Sequence, residues 1–189
     1  MRLFVALDIP PGVRQALGDL MDRLRGECRS ARWVQPDSMH LTIKFIGHAI
    51  DRPDGPEFHA LHAALGTIHL SAPANALFCG VGFFPNTRHP RVLWCGMKAS
   101  SNLAELAARI DDATEPFGIP RESRDFVPHL TLARLPVPGD LGRLIRAAEA
   151  LASEEFGSAR WTEFHLYESV LKRPGAEYRK LESYSFVNV

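Results

Sequence analysis

Cysteine is scarce in this chain, and neither sign of charge predominates. The three cysteines, Cys28, Cys79 and Cys95, are odd in number, lie far apart and form no Cys-x-x-Cys pair. That argues against a disulfide scaffold or a structural zinc site and for a reducing compartment, the cytoplasm. Lysine plus arginine number 22 and aspartate plus glutamate also 22. No overall field therefore steers the chain toward a polyanion or an anionic membrane, and any contact with nucleic acid has to be local. No apolar run approaches the ~20 residues of a membrane helix. The five apolar residues between Arg2 and Asp8 are too few for the core of a signal peptide. Low-complexity segments and evident linkers are missing as well. What is present is a core, since 46% of the 189 residues are apolar, enough for one ordinary domain or two small lobes.

The chain spells His40-Leu41-Thr42-Ile43 and, 89 residues later, His129-Leu130-Thr131-Leu132. Each copy lies in an apolar run that reads as a strand. Successive side chains of a strand point to opposite faces, so His40 shares a face with Thr42, and His129 with Thr131. Each motif thus offers an imidazole and a hydroxyl ~7 Å apart on one face, with apolar side chains behind them to pack inward.

The elements around the motifs recur too. Leu3 to Leu7 reads as a buried strand, closed by Asp8 and Pro10-Pro11. Val13, Leu17, Leu20, Met21 and Leu24 come next at helical spacing, with Pro11 in the first turn and Gly26 near the end. Trp33 to Pro36 leads into a strand from Met39 to Ile46 that stops at Gly47. From Arg91 the order repeats: a strand to Gly96, a helical face of Leu103, Leu106, Ala107, Ile110 and Phe117, then Phe126-Val127-Pro128 and the second motif. Arg91 stands 89 residues after Arg2, the same offset as the motifs. This predicts two halves related by an approximate two-fold axis that brings the motif strands together across a cleft.

Between the halves, Asp51 to Gly55 reads as a loop. Phe58, Leu61, His62, Leu65 and Ile68 mark a helix, and Asn75 to Phe84 a strand broken at Gly80 and Gly82. His59, His62 and His69 lie along that helix, but no carboxylate or cysteine nearby completes a metal shell, so they read as surface or half-buried histidines. Past the loop Pro136 to Gly139, Leu141, Leu144, Ile145, Ala148 and Leu151 mark another helix. Strands at Trp161 to Leu171 and Tyr178 to Val187, joined by Pro174-Gly175, form a hairpin. Hairpins and short connections favour antiparallel sheets, and hence an α+β fold.

Two imidazoles that converge make an acid and base pair, because histidine titrates near pH ~6.5 and one ring can be protonated while the other is neutral. Threonine hydroxyls donate to the non-bridging oxygens of an anion. No triad-like nucleophile pattern and no carboxylate set for two metals accompany them, which leaves metal-free in-line displacement at phosphorus, best suited to a cyclic phosphodiester.

These motifs resemble those of the 2H phosphoesterase superfamily, in particular its RNA 2′,3′-cyclic phosphodiesterase branch, also called 2′-5′ RNA ligases. The resemblance runs through Arg2-Leu3-Phe4-Val5-Ala6-Leu7-Asp8, Met39 to Gly47, Val92-Leu93-Trp94, Arg124 to Arg134 and Phe164 to Ser169. It implies a single bilobed domain over residues 1–189 with a pseudo-two-fold α+β fold, two antiparallel sheets facing a central cleft and helices outside. It also implies hydrolysis of 2′,3′-cyclic phosphate RNA ends to 2′-phosphates, without metal or other cofactor. The alternatives are the reverse 2′-5′ ligation, or a module that holds RNA ends with little turnover. A cytoplasmic monomer acting on RNA ends, tRNA fragments among them, is expected. By position, His129 is the implied base, His40 the acid, and Thr42 and Thr131 the phosphate holders.

Phe45 and Arg134 match family positions that sandwich the terminal base. Five residues past each histidine, they would face away from the cleft on a straight strand, and only a bulge or strong twist would turn them in. Lys44 falls on the histidine face, as an extra phosphate contact or a solvated charge. Arg124 reads as an orienting or phosphate-binding residue, or as a structural partner of Asp125. Tyr167 reads as packing that can reach the cleft, and Trp33, Trp94 and Trp161 as core.

Overall fold

A computed structural model describes residues 1–50, 52, 55–123, 126–136, 141–171 and 176–187. Residues 51, 53–54, 137–140 and 172–175 of the expected loops and the pair Arg124-Asp125 therefore lie outside the described residues. Among the described residues, nine strands form two antiparallel sheets. The first has the order β3-β1-β8-β9, built from β1 (Leu3–Asp8), β3 (His40–Gly47), β8 (Glu163–Leu171) and β9 (Ala176–Ser185). The second has the order β2-β6-β5-β4-β7, built from β2 (Arg32–Trp33), β4 (Ala74–Phe84), β5 (Val92–Ala99), β6 (His129–Arg134) and β7 (Glu155–Trp161).

Among the described residues, four α-helices cover the apolar faces. In α1 (Pro11–Arg25), Val13, Leu17, Leu20, Met21 and Leu24 are buried, the stripe expected from spacing; Pro11 opens the helix, and Arg23 and Arg25 complement its C-terminal dipole. α1 packs on β7 and on α4 (Gly142–Glu149). In α3 (Ser101–Thr114) the buried stripe is Leu103, Leu106, Ala107 and Ile110, with Thr114 at its end, and the helix packs on both β3 and β4. Its N-cap Ser100 spends its hydroxyl on the Asn75 amide, tying the start of the helix to β4. α2 (Pro56–Gly66) buries Phe58, Leu61 and Leu65 against α3 and β9. His62, on this helix, gives Nδ1 to a 2.9 Å hydrogen bond with the Tyr184 hydroxyl.

The repeat is visible in the pairing. Motif strand β3 lies beside β1 as β6 lies beside β5, and β8 and β9 stand where β4 and β7 stand in the other sheet. The halves are interleaved, because β4 joins the sheet of the second motif while the C-terminal hairpin completes the sheet of the first. Strand pairing also corrects the offset. Ala6 opposes Thr42 and Asp8 opposes His40, as Trp94 opposes Thr131 and Gly96 opposes His129. The first strands are thus 88 residues apart, while the motifs are 89 apart. The match of Arg2 with Arg91 is not part of the repeat.

Gly80 and Gly82 do not break β4. Gly80, at φ +70°, sits in a bulge against β5, and Gly82 gives room for the Trp94 ring, which a Cβ would meet at 2.3 Å. β7 is not foreseen by periodicity. A bulge against β4 and a positive-φ Gly157 interrupt its alternation, leaving only Phe156, Ala159 and Trp161 buried.

Candidate active site

Both motif strands carry a bulge at the same place. The register of β3 on β1 slips between Thr42 and Lys44, and that of β6 on β5 slips between Thr131 and Ala133. Ile43 with Lys44, and Leu132 with Ala133, are consecutive buried pairs, after which Phe45 and Arg134 emerge exposed. A bulge adds one residue and so reverses the face on which the next residues of the strand emerge. Phe45 therefore returns to the face of His40 and Thr42, and Arg134 to that of His129 and Thr131. Phe45 is 64% exposed and its ring lies 6.2 Å from Phe4, which meets the His40 ring at 4.8 Å.

The same bulge moves Lys44 off that face. It is 3% exposed, its Nζ lies 2.5 Å from Asp111 on α3, and it donates to the Pro120 carbonyl at 2.6 Å. Neither expectation for Lys44, a phosphate contact or a solvated charge, holds. It fastens the back of the motif strand to a helix.

The two histidines are held alike. His40 Nδ1 lies 2.9 Å from the Ser38 carbonyl and His129 Nδ1 lies 2.9 Å from the Val127 carbonyl, each two residues upstream. A carbonyl only accepts, so each Nδ1 carries the proton and each Nε2 is left for chemistry. β3 and β6 approach within 8 Å between Cα atoms, so the two sheets meet at their motif strands. Thr42 and Thr131 are half-buried on the histidine faces.

The surroundings differ. His40 is half-buried among aromatic rings, Phe4 at 4.8 Å, Tyr178 edge-on at 4.7 Å and Tyr167 at 6.3 Å. Burial holds its imidazole below the ordinary histidine value, and the Ser38 carbonyl and the Asp8 charge offset only part of that lowering. His129 meets Phe84 edge-on at 4.8 Å, and Phe84 lies 5.2 Å from Trp94. Trp94, expected in the core, instead opposes Thr131 on the motif face, over Gly82 and Gly96. Trp161 is core, 6% exposed, and Trp33 is partly buried with the Arg25 guanidinium 5.8 Å from its ring.

Sequence reading also missed Asp8, His165 and Lys180, and took Tyr167 as packing by default. Tyr167 and Lys180 donate to the Asp8 carboxylate, and His165 Nε2 lies 3.5 Å from it. The available signal was Asp8 at the end of the apolar β1 and the polar positions of the alternating β8. Their convergence depends on β8 pairing with β1, which no local pattern states.

A duplicated sheet with a histidine and a threonine at the same register in each copy is the architecture expected of a 2H phosphoesterase. A family model described as the 2′-5′ RNA ligase superfamily matches residues 10–173. The RNA 2′,3′-cyclic phosphodiesterase of Thermus thermophilus is 35% identical over 192 residues, covering 98% of this chain and 90% of the relative. The protein of that name from Methanothermobacter thermautotrophicus is 30% identical over 182 residues, covering 96% and 97%. Among solved structures, TT0787 of Thermus thermophilus superposes with a TM-score of 0.75 at 32% identity over 98% of both chains. E. coli LigT complexed with phosphate does so with a TM-score of 0.69 at 26% identity, over 99% of this chain and 98% of that one. The chain belongs to the 2′-5′ RNA ligase superfamily.

Proposed function

We propose that the chain hydrolyses 2′,3′-cyclic phosphate ends of RNA to 2′-phosphates by metal-independent catalysis with two histidines. The observation that carries this reading is the matched Nδ1 tether of His40 and His129, which leaves Nε2 as the working nitrogen of each ring. In the proposed reaction His129 Nε2 takes a proton from water as the water oxygen bonds to phosphorus. The P–O3′ bond breaks, and His40 Nε2–H gives its proton to O3′. Thr42 and Thr131 donate to the non-bridging oxygens, where charge builds in the transition state. Relatives named RNA 2′,3′-cyclic phosphodiesterase, and a fold relative crystallised with phosphate, support the choice of substrate.

Phe45 and Arg134 are proposed to hold the terminal base by stacking and cation–π contact, a reading supported by their shared emergence past a bulge. Arg32 opposes Arg134 across β2 and β6, and both are exposed. Like charges directly opposite are unfavourable alone, and an RNA phosphate between them relieves the repulsion. Phe45→Ala should raise KM for a cyclic-phosphate oligonucleotide several-fold with little change in kcat, and should fold normally, since the ring is mostly in water. Steady-state kinetics against wild type checks this; a fall in kcat alone contradicts it. We further propose that the two sheets work as one unit, in a cytoplasmic monomer with tRNA fragments among its substrates. No helix of the described residues is long and apolar enough to cross a membrane.

The test is incubation of the purified protein, with EDTA, with a short RNA ending in a 2′,3′-cyclic phosphate. The 2′-phosphate is expected. Abolition by EDTA, a 3′-phosphate product, or bound ends with no product would overturn the reading.

A further inference from the structure

The two motifs are near-copies, but the residues facing their histidines are not. Asp8 is the cross-strand partner of His40, whereas Gly96 is the partner of His129. Cross-strand partners project from one face with Cβ atoms ~5 Å apart. His40 thus has a carboxylate beside it, while His129 has only backbone beneath the Trp94 ring. The carboxylate is held firmly: Oδ1 accepts from the Tyr167 hydroxyl and Oδ2 from Lys180 Nζ at 2.7 Å. The Asp8 backbone carbonyl accepts from the Trp161 indole at 2.7 Å, which ties this corner to the other sheet. Tyr167 stacks on Phe4 at 5.3 Å, and Phe4 meets His40, so the residues that fix the carboxylate also fix the imidazole.

We propose that Asp8 is a positioning residue that supplies the counter-charge for His40 whenever that ring holds its second proton, a support that the near-equivalent His129 lacks. This rests on the two-histidine reading above and deepens it by naming what breaks the symmetry. His40 Nδ1 is committed to Ser38, and the Asp8 oxygens to Tyr167 and Lys180, so the charge acts through space.

The other groups on this face are accounted for. Burial works against the ionised Asp8, but hydrogen bonds from Lys180 and Tyr167, with His165 close by, hold its carboxyl below the usual value. It stays ionised where histidine titrates. From β8, His165 is lowered by burial and Tyr167 is pushed well up by burial and by Asp8, so both are neutral near pH 7, with Glu163 3.8 Å from His165. From β9, Tyr178 presents its edge, and Lys180 is the one cation that competes with His40 for Asp8 among the described residues. Arg14 of α1 acts on Tyr167. In the second sheet the motif strand β6 carries His129 and Arg134, while Asp111 of α3 is on the opposite face with Lys44.

The test tracks the His40 and His129 imidazoles by NMR titration in wild type, Asp8→Asn and Lys180→Met. Asparagine keeps the shape and an acceptor for Tyr167 but removes the charge. The His40 midpoint should fall by about one pH unit, as for unit charges ~6 Å apart on a partly solvated face. The His129 midpoint should stay put. Lys180→Met should move the His40 midpoint the other way. The alkaline limb of kcat/KM should move with His40, since a proton donor is lost above its pKa. A His40 midpoint unmoved in both variants, or a His129 shift as large, would overturn the proposal. Failure of wild type to form 2′-phosphate would instead strike the functional reading, and the titration would still decide the role of Asp8.

Discussion

Replacing His40 or His129 with alanine is expected to lower kcat for opening a 2′,3′-cyclic phosphate by on the order of 10²–10⁴, the usual loss for a general acid or base. Each removal deletes one of the two proton transfers that the proposed reaction couples, so the double variant should be scarcely worse than either single one. KM should change little, because Thr42, Thr131, Phe45 and Arg134 remain. The loss must be told apart from unfolding at position 40, where the ring packs among Phe4, Tyr167 and Tyr178. His40→Gln keeps more of that volume and should be equally inactive yet folded by near-UV circular dichroism. Single-turnover rates on a cyclic-phosphate oligonucleotide provide the measurement, and full activity in either variant would remove the mechanism.

Lys44→Met carries the largest expected cost in stability, about 3–5 kcal/mol, as for removal of one partner of a buried ion pair. The ammonium lies between the Asp111 carboxylate, 17% exposed, and the Pro120 carbonyl, with Glu122 3.7 Å away. Without it, the Pro120 carbonyl loses its donor, and the Asp111 carboxylate, which still accepts from the Glu122 amide, loses the ammonium beside it in a place water barely reaches. At roughly 2–4 °C per kcal/mol for a chain of this size, Tm should fall by about 10 °C. Lys44→Met with Asp111→Leu should recover most of the loss, since the orphaned charge goes too. Activity per folded molecule at low temperature should stay near wild type. A Tm that is unchanged while KM rises would mean that Lys44 serves the substrate after all.

That residue marks where the sequence stops being legible. The helical stripes of α1 and α3 and the two motif strands can be read from spacing, because periodicity is a property of neighbours in the chain. A bulge is a property of a strand and its partner. Nothing in Thr42-Ile43-Lys44-Phe45 read alone says that β1 skips Ile43, so alternation put Lys44 on the wrong face and Phe45 on the other. The repeat of the slip at Leu132 makes it a feature of both halves. The cluster on Asp8 was hidden for a similar reason. Residues 8, 165, 167 and 180 come from three strands whose adjacency is set by the hairpin joining the first sheet. Trp94 looked like core because indole is apolar. Gly82 and Gly96, which let it lie flat on the motif face, speak only once β4 is laid beside β5.

At the heart of the mechanism, His40 and His129 are proposed to act on one phosphate from opposite sides. A crystal structure with a nucleoside 2′-phosphate, the proposed product, is the sharpest test. Both Nε2 atoms are expected within ~3.2 Å of oxygens of the same phosphoryl group, with both Nδ1 atoms still on the carbonyls of Ser38 and Val127. A product held by one motif alone, with the other imidazole out of reach, would refute the mechanism.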